Sequence, residues 1–274
     1  MEVIRSRGNA SLKRVGQVAR GKDDSVCLLE GERLVHDALR GGMEPEILLV
    51  REERAELARD LAGHSPRLVA ERLFDGLGTL TTPPGVLGVF PRPARRSVSD
   101  LADDLDDRRP ALLLGVSGVA DPGNLGALAR CAEATGAMGL LVAAGSARPF
   151  GPKALRGSMG SLLRVPVFEI DDLDRAMTAL DDLEFTHCVA ATRGGRSLDD
   201  HPFGHRTAIW MTGETGPVAP EMERCSPVTI PMAGGVESLN VTVAGALLLF
   251  EAARRVRRDA EPPYDRTRTT ERPS

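Results

Sequence analysis

From residue 26 onward, short apolar runs alternate with stretches whose apolar positions recur every three or four residues. VCLLEG (26–31), EILLV (46–50), PRLVA (66–70) and GVLGVF (85–90) have the length and branched-aliphatic content of buried strands. Between the first two, GERLVHDALRGG sets Leu34, Val35, Ala38 and Leu39 at helical spacing, and Ala55, Leu57, Ala58 and Leu61 repeat that pattern after the second. Residues 1–92 are therefore expected to form a small α/β unit. PRPARRSVSDLADDLDDRRP breaks the pattern: it is rich in Pro, Arg and Asp and lacks an apolar face. Residues 93–109 read as a linker with at most one short helical turn.

Past Pro110 the apolar runs lengthen: 111–119, 139–145, 164–170, 187–192, 207–212 and 227–232, with helical segments between several of them. Such nearly continuous runs suit a mostly parallel sheet covered on both faces, so residues 110–258 predict a larger α/β domain. Its last element, SLNVTVAGALLLFEAARRV (238–256), predicts a helix capped by Ser238 and ending in Arg254 and Arg255. Residues 259–274 are polar and Pro-containing, as in a disordered tail.

A 274-residue chain with 42% hydrophobic and 27% charged residues can bury a substantial core, so one or two globular domains are expected. No apolar run approaches the ~18 residues of a membrane span, and the start of the chain has no secretory h-region. Cys27, Cys131, Cys188 and Cys225 have no C-x-x-C spacing, and the five histidines form no metal-ligand motif; no metal is expected. These features predict a cytoplasmic protein. The net charge of −4 argues against a nucleic-acid partner, but the charge is unevenly distributed. Residues 1–22 carry Arg5, Arg7, Lys13, Arg14, Arg20 and Lys22 against Glu2 alone, and Arg254, Arg255, Arg257 and Arg258 lie near the end. The acid collects at 99–107 and 171–184. The basic clusters read either as a phosphate-binding footprint or as solvated surface.

The chain has no G-x-x-x-x-G-K-[ST] loop, no G-x-G-x-x-G after its first strand and no G-x-S-x-G elbow. Three other segments each follow an apolar strand, where open α/β sheets place their ligands. DPGNLGALARCAEATGA (121–137) offers a turn, Asn124 as a helix cap, Gly136 as a terminator and Arg130 within an otherwise apolar helix. For Arg130 the plain alternative is an i,i+3 pair with Glu133. MTGETGPVAPEM (211–222) is a Gly-rich loop able to lie against a flat ligand. IPMAGGVESLNVTVAGALLLFE (230–251) sets Ser238 and Asn240 between a strand and a helix.

With these residues the chain resembles the SpoU-like (TrmH-type) RNA ribose 2′-O-methyltransferases of the SPOUT superfamily. Their N-x-G-x-x-x-R motif is met by Asn124, Gly126 and Arg130. I-P-M-x-G-x-x-x-S-L-N-V-[ST]-V-A is matched from Ile230 to Ala244, and K-x-L-R-x-S-x-G by Lys153, Leu155, Arg156, Ser158 and Gly160. The Gly-rich motif departs from the family pattern: Glu214 is kept, but Pro217 stands where Gly is usual. The resemblance implies a C-terminal α/β trefoil knot preceded by a smaller N-terminal α/β substrate-binding domain, a homodimer, S-adenosylmethionine as cofactor and RNA as substrate. The N-terminal unit favours ribosomal over transfer RNA by analogy.

The resemblance also implies the site. Arg130, Asn124, Glu214, Ser238 and Asn240 take catalytic roles. Thr192, Gly213, Glu214, Ile230, Met232, Ser238, Leu239 and Asn240 surround the cofactor, and Arg5, Arg7, Lys13, Arg14 and Arg156 meet RNA. Because an arginine guanidinium stays protonated near neutral pH, Arg130 is expected to grip phosphate and stabilise developing alkoxide charge. The small residues Ala244, Gly245 and Ala246 would permit close helix approach in the dimer. Two alternatives stand beside this reading: an RNA-binding module of the same fold without catalysis, and a nucleotide-dependent oxidoreductase on a Rossmann-like sheet.

Overall fold

A computed structural model describes residues 3–213 and 218–260, with side chains through residue 256. The N-terminal strands are β1 (Val3–Ile4), β2 (Val26–Glu30), β3 (Ile47–Arg51), β4 (Arg67–Val69) and β5 (Val86–Pro91). They form a mixed sheet in the order β1-β4-β3-β5-β2, in which β5 runs antiparallel to both β2 and β3. Helices α1 (Ala10–Ala19), α2 (Glu32–Arg40), α3 (Ala55–Asp60) and α4 (Glu71–Phe74) cover it.

Helix α1 does not stand out in the sequence. Its residues look like a basic arm, yet Leu12, Val15 and Val18 fall on one stripe and are buried with Leu28, Leu49 and Leu87. Asn9 starts the helix by accepting a hydrogen bond from the Ser11 amide at 2.9 Å.

The segment expected to be a linker with at most one short helical turn is more ordered than its composition implies. Val98–Asp104 forms a 3₁₀ helix with a capping box between Ser97 and Asp100. Val98 and Leu101 are buried beside Phe168 and Trp210, because two apolar residues three apart fall on one face of a 3₁₀ helix and seat it.

The second sheet comprises β6 (Ala111–Ser117), β7 (Gly139–Ala143), β8 (Val167–Ile170), β9 (Thr186–Ala190), β10 (Arg196–Ser197), β11 (Arg206–Thr212) and β12 (Ser226–Thr229). All its described pairings are parallel, in the order β10-β12-β9-β11-β6-β7-β8. Around it lie α5 (Pro122–Thr135), α6 (Pro152–Ser158), α7 (Ser161–Arg164), α8 (Leu173–Asp182) and α9 (Val241–Ala260). The central pairing is fixed by size: Trp210 is fully buried opposite Gly115, where any Cβ would overlap the indole.

Besides a core cluster of its own, each unit contributes to a shared one. One buried cluster runs from Leu29, Leu34 and Val35 of the first unit to Leu155, Leu162 and Leu114 of the second. Among the described residues no helix is long and apolar enough to cross a membrane. Helix α9 continues to Ala260, so residues 259 and 260 are helical rather than tail; residues 261–274 lie outside the described residues.

Candidate active site

Helix α5 opens the site. Asp121, rather than Asn124, caps it: the Asp121 Oδ1 accepts from the Asn124 amide at 3.0 Å, and Pro122 occupies the first turn. Asp121 also accepts from Lys153 Nζ at 2.6 Å, and these partners, the ammonium first, hold its carboxyl below the usual range. With the cap supplied from outside, the Asn124 side chain is free to point elsewhere. Gly136 ends the helix in the left-handed region, as expected.

The Asn124 amide meets the start of α9. Asn240 Nδ2 donates to Asn124 Oδ1 at 3.4 Å, and Thr242 Oγ1 donates to the same oxygen at 3.3 Å. Ser238 is expected to cap α9, but the cap is Asn240. Its Oδ1 accepts from the Thr242 amide at 2.9 Å and its carbonyl from the Ala244 amide at 3.0 Å. The helix therefore begins at Val241, which leaves Ser238 and Leu239 ahead of it, lining a cleft.

That cleft, of about 240 Å³, lies at the C-terminal ends of β9, β11 and β12, where open parallel sheets place ligands. Of the residues expected around a cofactor, Thr192, Gly213, Ile230, Met232, Ser238 and Leu239 line it; Asn240 stands just outside. Glu214 lies outside the described residues. Ala190, Ala191, Met211, Val228 and Ala244, which the motifs do not single out as cofactor contacts, supply apolar wall. They belong to strand and helix ends whose sequence reads only as core. Gly213 has a geometric reason: a Cβ there would overlap the Gly118 carbonyl where the loops after β6 and β11 meet.

The lining suits S-adenosylmethionine chemically. Its flat adenine calls for apolar walls and its sulfonium for the absence of a nearby cation; no Lys or Arg is among the lining residues.

Arg130 is exposed on α5, outside the lining. The plain alternative for it does not hold, because Glu133 is engaged elsewhere. Arg164 grips it with two bonds, Nε to Oε1 at 2.5 Å and Nη2 to Oε2 at 3.0 Å. Arg164 is thereby the main cause of the lowered Glu133 pKa. Arg130 itself has no hydrogen bond or ion pair to another described residue.

The expected RNA contacts divide. Arg7 and Lys13 are exposed without such partners among the described residues, and Arg5 makes only an exposed pair with Glu52 at 2.6 Å. Two others are engaged within the protein, because folding brings carboxylates onto them. Arg14 is held by Asp23 at 2.7 Å and Glu46 at 3.3 Å. Arg156 is bound to the buried Glu30.

Comparison with known proteins accords with this geometry. Residues 111–250 match the model of the SpoU rRNA Methylase family. The 23S rRNA (guanosine-2′-O-)-methyltransferase RlmB of Bordetella pertussis is 33% identical over 198 residues, covering 70% of this chain and 79% of that protein. The mitochondrial rRNA methyltransferase 3A of Danio rerio is 29% identical over 303 residues, covering 91% and 69% respectively. Among solved structures, the SpoU methyltransferase AviRb from Streptomyces viridochromogenes in complex with AdoMet superposes with a TM-score of 0.78 at 27% identity. That likeness covers 90% of this chain and 98% of the other.

Proposed function

The chain belongs to the SpoU rRNA methylase family, and from that membership we infer a division of labour between a cofactor cleft at β9, β11 and β12 and an RNA-holding N-terminal unit. It is an RNA (ribose-2′-O-)-methyltransferase that uses S-adenosylmethionine. The observation that carries the assignment to this site is the junction of Asn124 with Asn240 and Thr242 at the rim of a cleft without lining cations.

When bound, S-adenosylmethionine supplies a methyl group on a positively charged sulfur, open to in-line attack. Thr192, Ile230, Met232, Ser238 and Leu239 would hold it. Asn124 orients the target ribose, and Asn240 and Thr242 hold that amide in one direction. Arg130, whose side chain has no partner among the described residues, grips an RNA phosphate and stabilises charge developing on the 2′-oxygen. Residues 1–92 bind RNA, 93–109 connect, and 110–258 carry out transfer. Ribosomal RNA is the favoured substrate class because it is what the matched family and both named relatives act on. A cytoplasmic location fits the 23S rRNA relative from Bordetella pertussis.

The knot expected from the resemblance belongs to this reading. It is supported by the position of β12 between β10 and β9 and by the return of α9 onto α5. So does a homodimer; of the small residues expected at its seam, Ala246 lies beside Leu247 and Phe250 on the open side of α9. Gly245 faces inward, where a Cβ would come within 2.5 Å of Leu128, and Ala244 lines the cleft. The open face of α9 carries Val243, Leu247 and Phe250, at 48%, 43% and 50% exposure, in an i, i+4, i+7 stripe.

Two measurements test the function together: calorimetric titration with S-adenosylmethionine, and mapping of ribose methylation on total RNA from cells with and without the gene. Binding together with one lost methyl mark is expected. Binding with no lost mark would leave an RNA-binding module, and no binding would remove the cofactor assignment.

A further inference from the structure

Glu30, at the end of β2, has a completely buried side chain, and its one ion-pair partner among the described residues, Arg156, comes from α6 in the other unit. The rest of its shell is neutral: the Thr79 amide donates to Oε1 at 2.7 Å and the Thr79 hydroxyl to Oε2 at 2.6 Å. Arg156 also donates to the Thr79 hydroxyl at 2.7 Å, closing a three-residue ring. Gly78 makes this possible, since its φ of +78° and missing Cβ let the loop before β5 lie directly on the carboxylate.

A second arginine repeats the arrangement eight residues on. Arg164, at the end of α7, donates to Asp37 of α2 at 3.1 Å while gripping Glu133 of α5. Both bridges lead to α5. Arg164 reaches it through Glu133. Arg156 reaches it through α6, which lies so close to α5 that a Cβ at Gly126 would come within 2.5–2.8 Å of the Ala154, Gly157 and Ser158 backbone. Helix α5 carries Asn124 and Arg130. The apolar contact between the units is non-directional; the two charged bridges have fixed geometry and set its register.

We propose that Arg156 and Glu30 are positioning residues: they fix the N-terminal RNA-holding unit in register with α5, so that RNA held by one is presented to the ribose site of the other. The assignment rests on the methyltransferase reading above. It places Arg156 in an internal clamp instead of on a phosphate, and the two roles predict opposite behaviour for Glu30→Gln. A clamp is broken equally from either side. A phosphate contact is released when its internal acid is removed.

The test measures methyl transfer from tritiated S-adenosylmethionine to total RNA lacking the mark, in wild type, Glu30→Gln, Arg156→Ala, Arg156→Lys and the Glu30→Gln/Arg156→Ala double variant. Both single losses should raise the KM for RNA about tenfold, because a lost register lowers the effective concentration of the second contact. The expected kcat and cofactor Kd stay within about twofold, the double variant is no worse than the worse single, and Arg156→Lys recovers most of the loss. Amide exchange should quicken across 26–38 and 152–164 while 111–117 stays protected. An unchanged or lowered KM in Glu30→Gln, or additive losses in the double variant, would overturn the clamp. If the wild type binds cofactor but methylates no RNA, the proposed function fails, and the exchange comparison alone then decides the clamp: unchanged exchange refutes it.

Discussion

At the residue scale, the site depends on which side chains are already engaged and which are not. Arg130 is available because Arg164 has taken Glu133; in the sequence Arg130 is the favoured partner, since helical spacing sets Glu133 beside it and says nothing of a residue 31 positions away. Arg130→Ala should lower kcat by roughly 10²–10³ with S-adenosylmethionine affinity unchanged, as when one donor to a developing oxyanion is removed. Single-turnover transfer beside calorimetry checks it, and wild-type turnover at saturating RNA would refute the role. Gly213 carries a different kind of constraint. Gly213→Ala places a methyl against the Gly118 carbonyl and should destabilise the fold by about 1–3 kcal/mol while weakening cofactor binding. Denaturant melts with and without S-adenosylmethionine read both effects. Asn124 and Asn240 were legible as polar residues at strand-to-helix junctions. Thr242, which joins them, was not, because a threonine in the first turn of an apolar helix reads as capping.

At the scale of elements, apolar runs identified every described strand longer than two residues and misjudged helix starts. Helix α5 begins at Asp121's cap and α9 at Asn240's, each displaced from the residue the sequence suggests, because either of two nearby Asx or Ser side chains satisfies the same orphan amides. The outer face of α9 is the element most open to test. Val243, Leu247 and Phe250 form an apolar stripe with no covering element among the described residues, and Phe250→Glu with Leu247→Glu should convert the proposed dimer to monomer at micromolar concentration. Sedimentation velocity checks this; a wild-type monomer, or a variant still dimeric, would remove the interface. Helix α1 shows the opposite failure of the pattern. Its basic residues draw attention while Leu12, Val15 and Val18 hold it in the core, so deleting residues 1–22 would strip a packed element along with the charge.

At the scale of the whole molecule, net charge was a poor guide to the partner. The acidic stretch 171–184 is largely committed to internal ion pairs, with Arg95 on Asp171 and Arg224 on Asp174 and Asp181. Arg7 and Lys13 face solvent with no partner among the described residues. Replacing both by Ala should weaken RNA binding and flatten the slope of log K against log salt by about 1–2, at roughly 0.7–0.9 for each phosphate no longer neutralised. An unchanged slope would return both to ordinary surface. The sequence alone determined the parallel sheet of 111–232, the motifs at 124–130 and 230–244 and the family they point to. These are local: apolar runs dictate strands, and the motif residues stand in one continuous stretch each. What the tertiary structure decided is every pairing across distance: Arg156 with Glu30, Arg164 with Glu133, Asn124 with Asn240 and the core cluster that the two units share. An ion pair or amide contact requires only a few ångströms and complementary atoms, with no fixed spacing along the chain, so no periodicity announces it. Only folding chooses which carboxylate meets which arginine, and so which arginines remain for RNA.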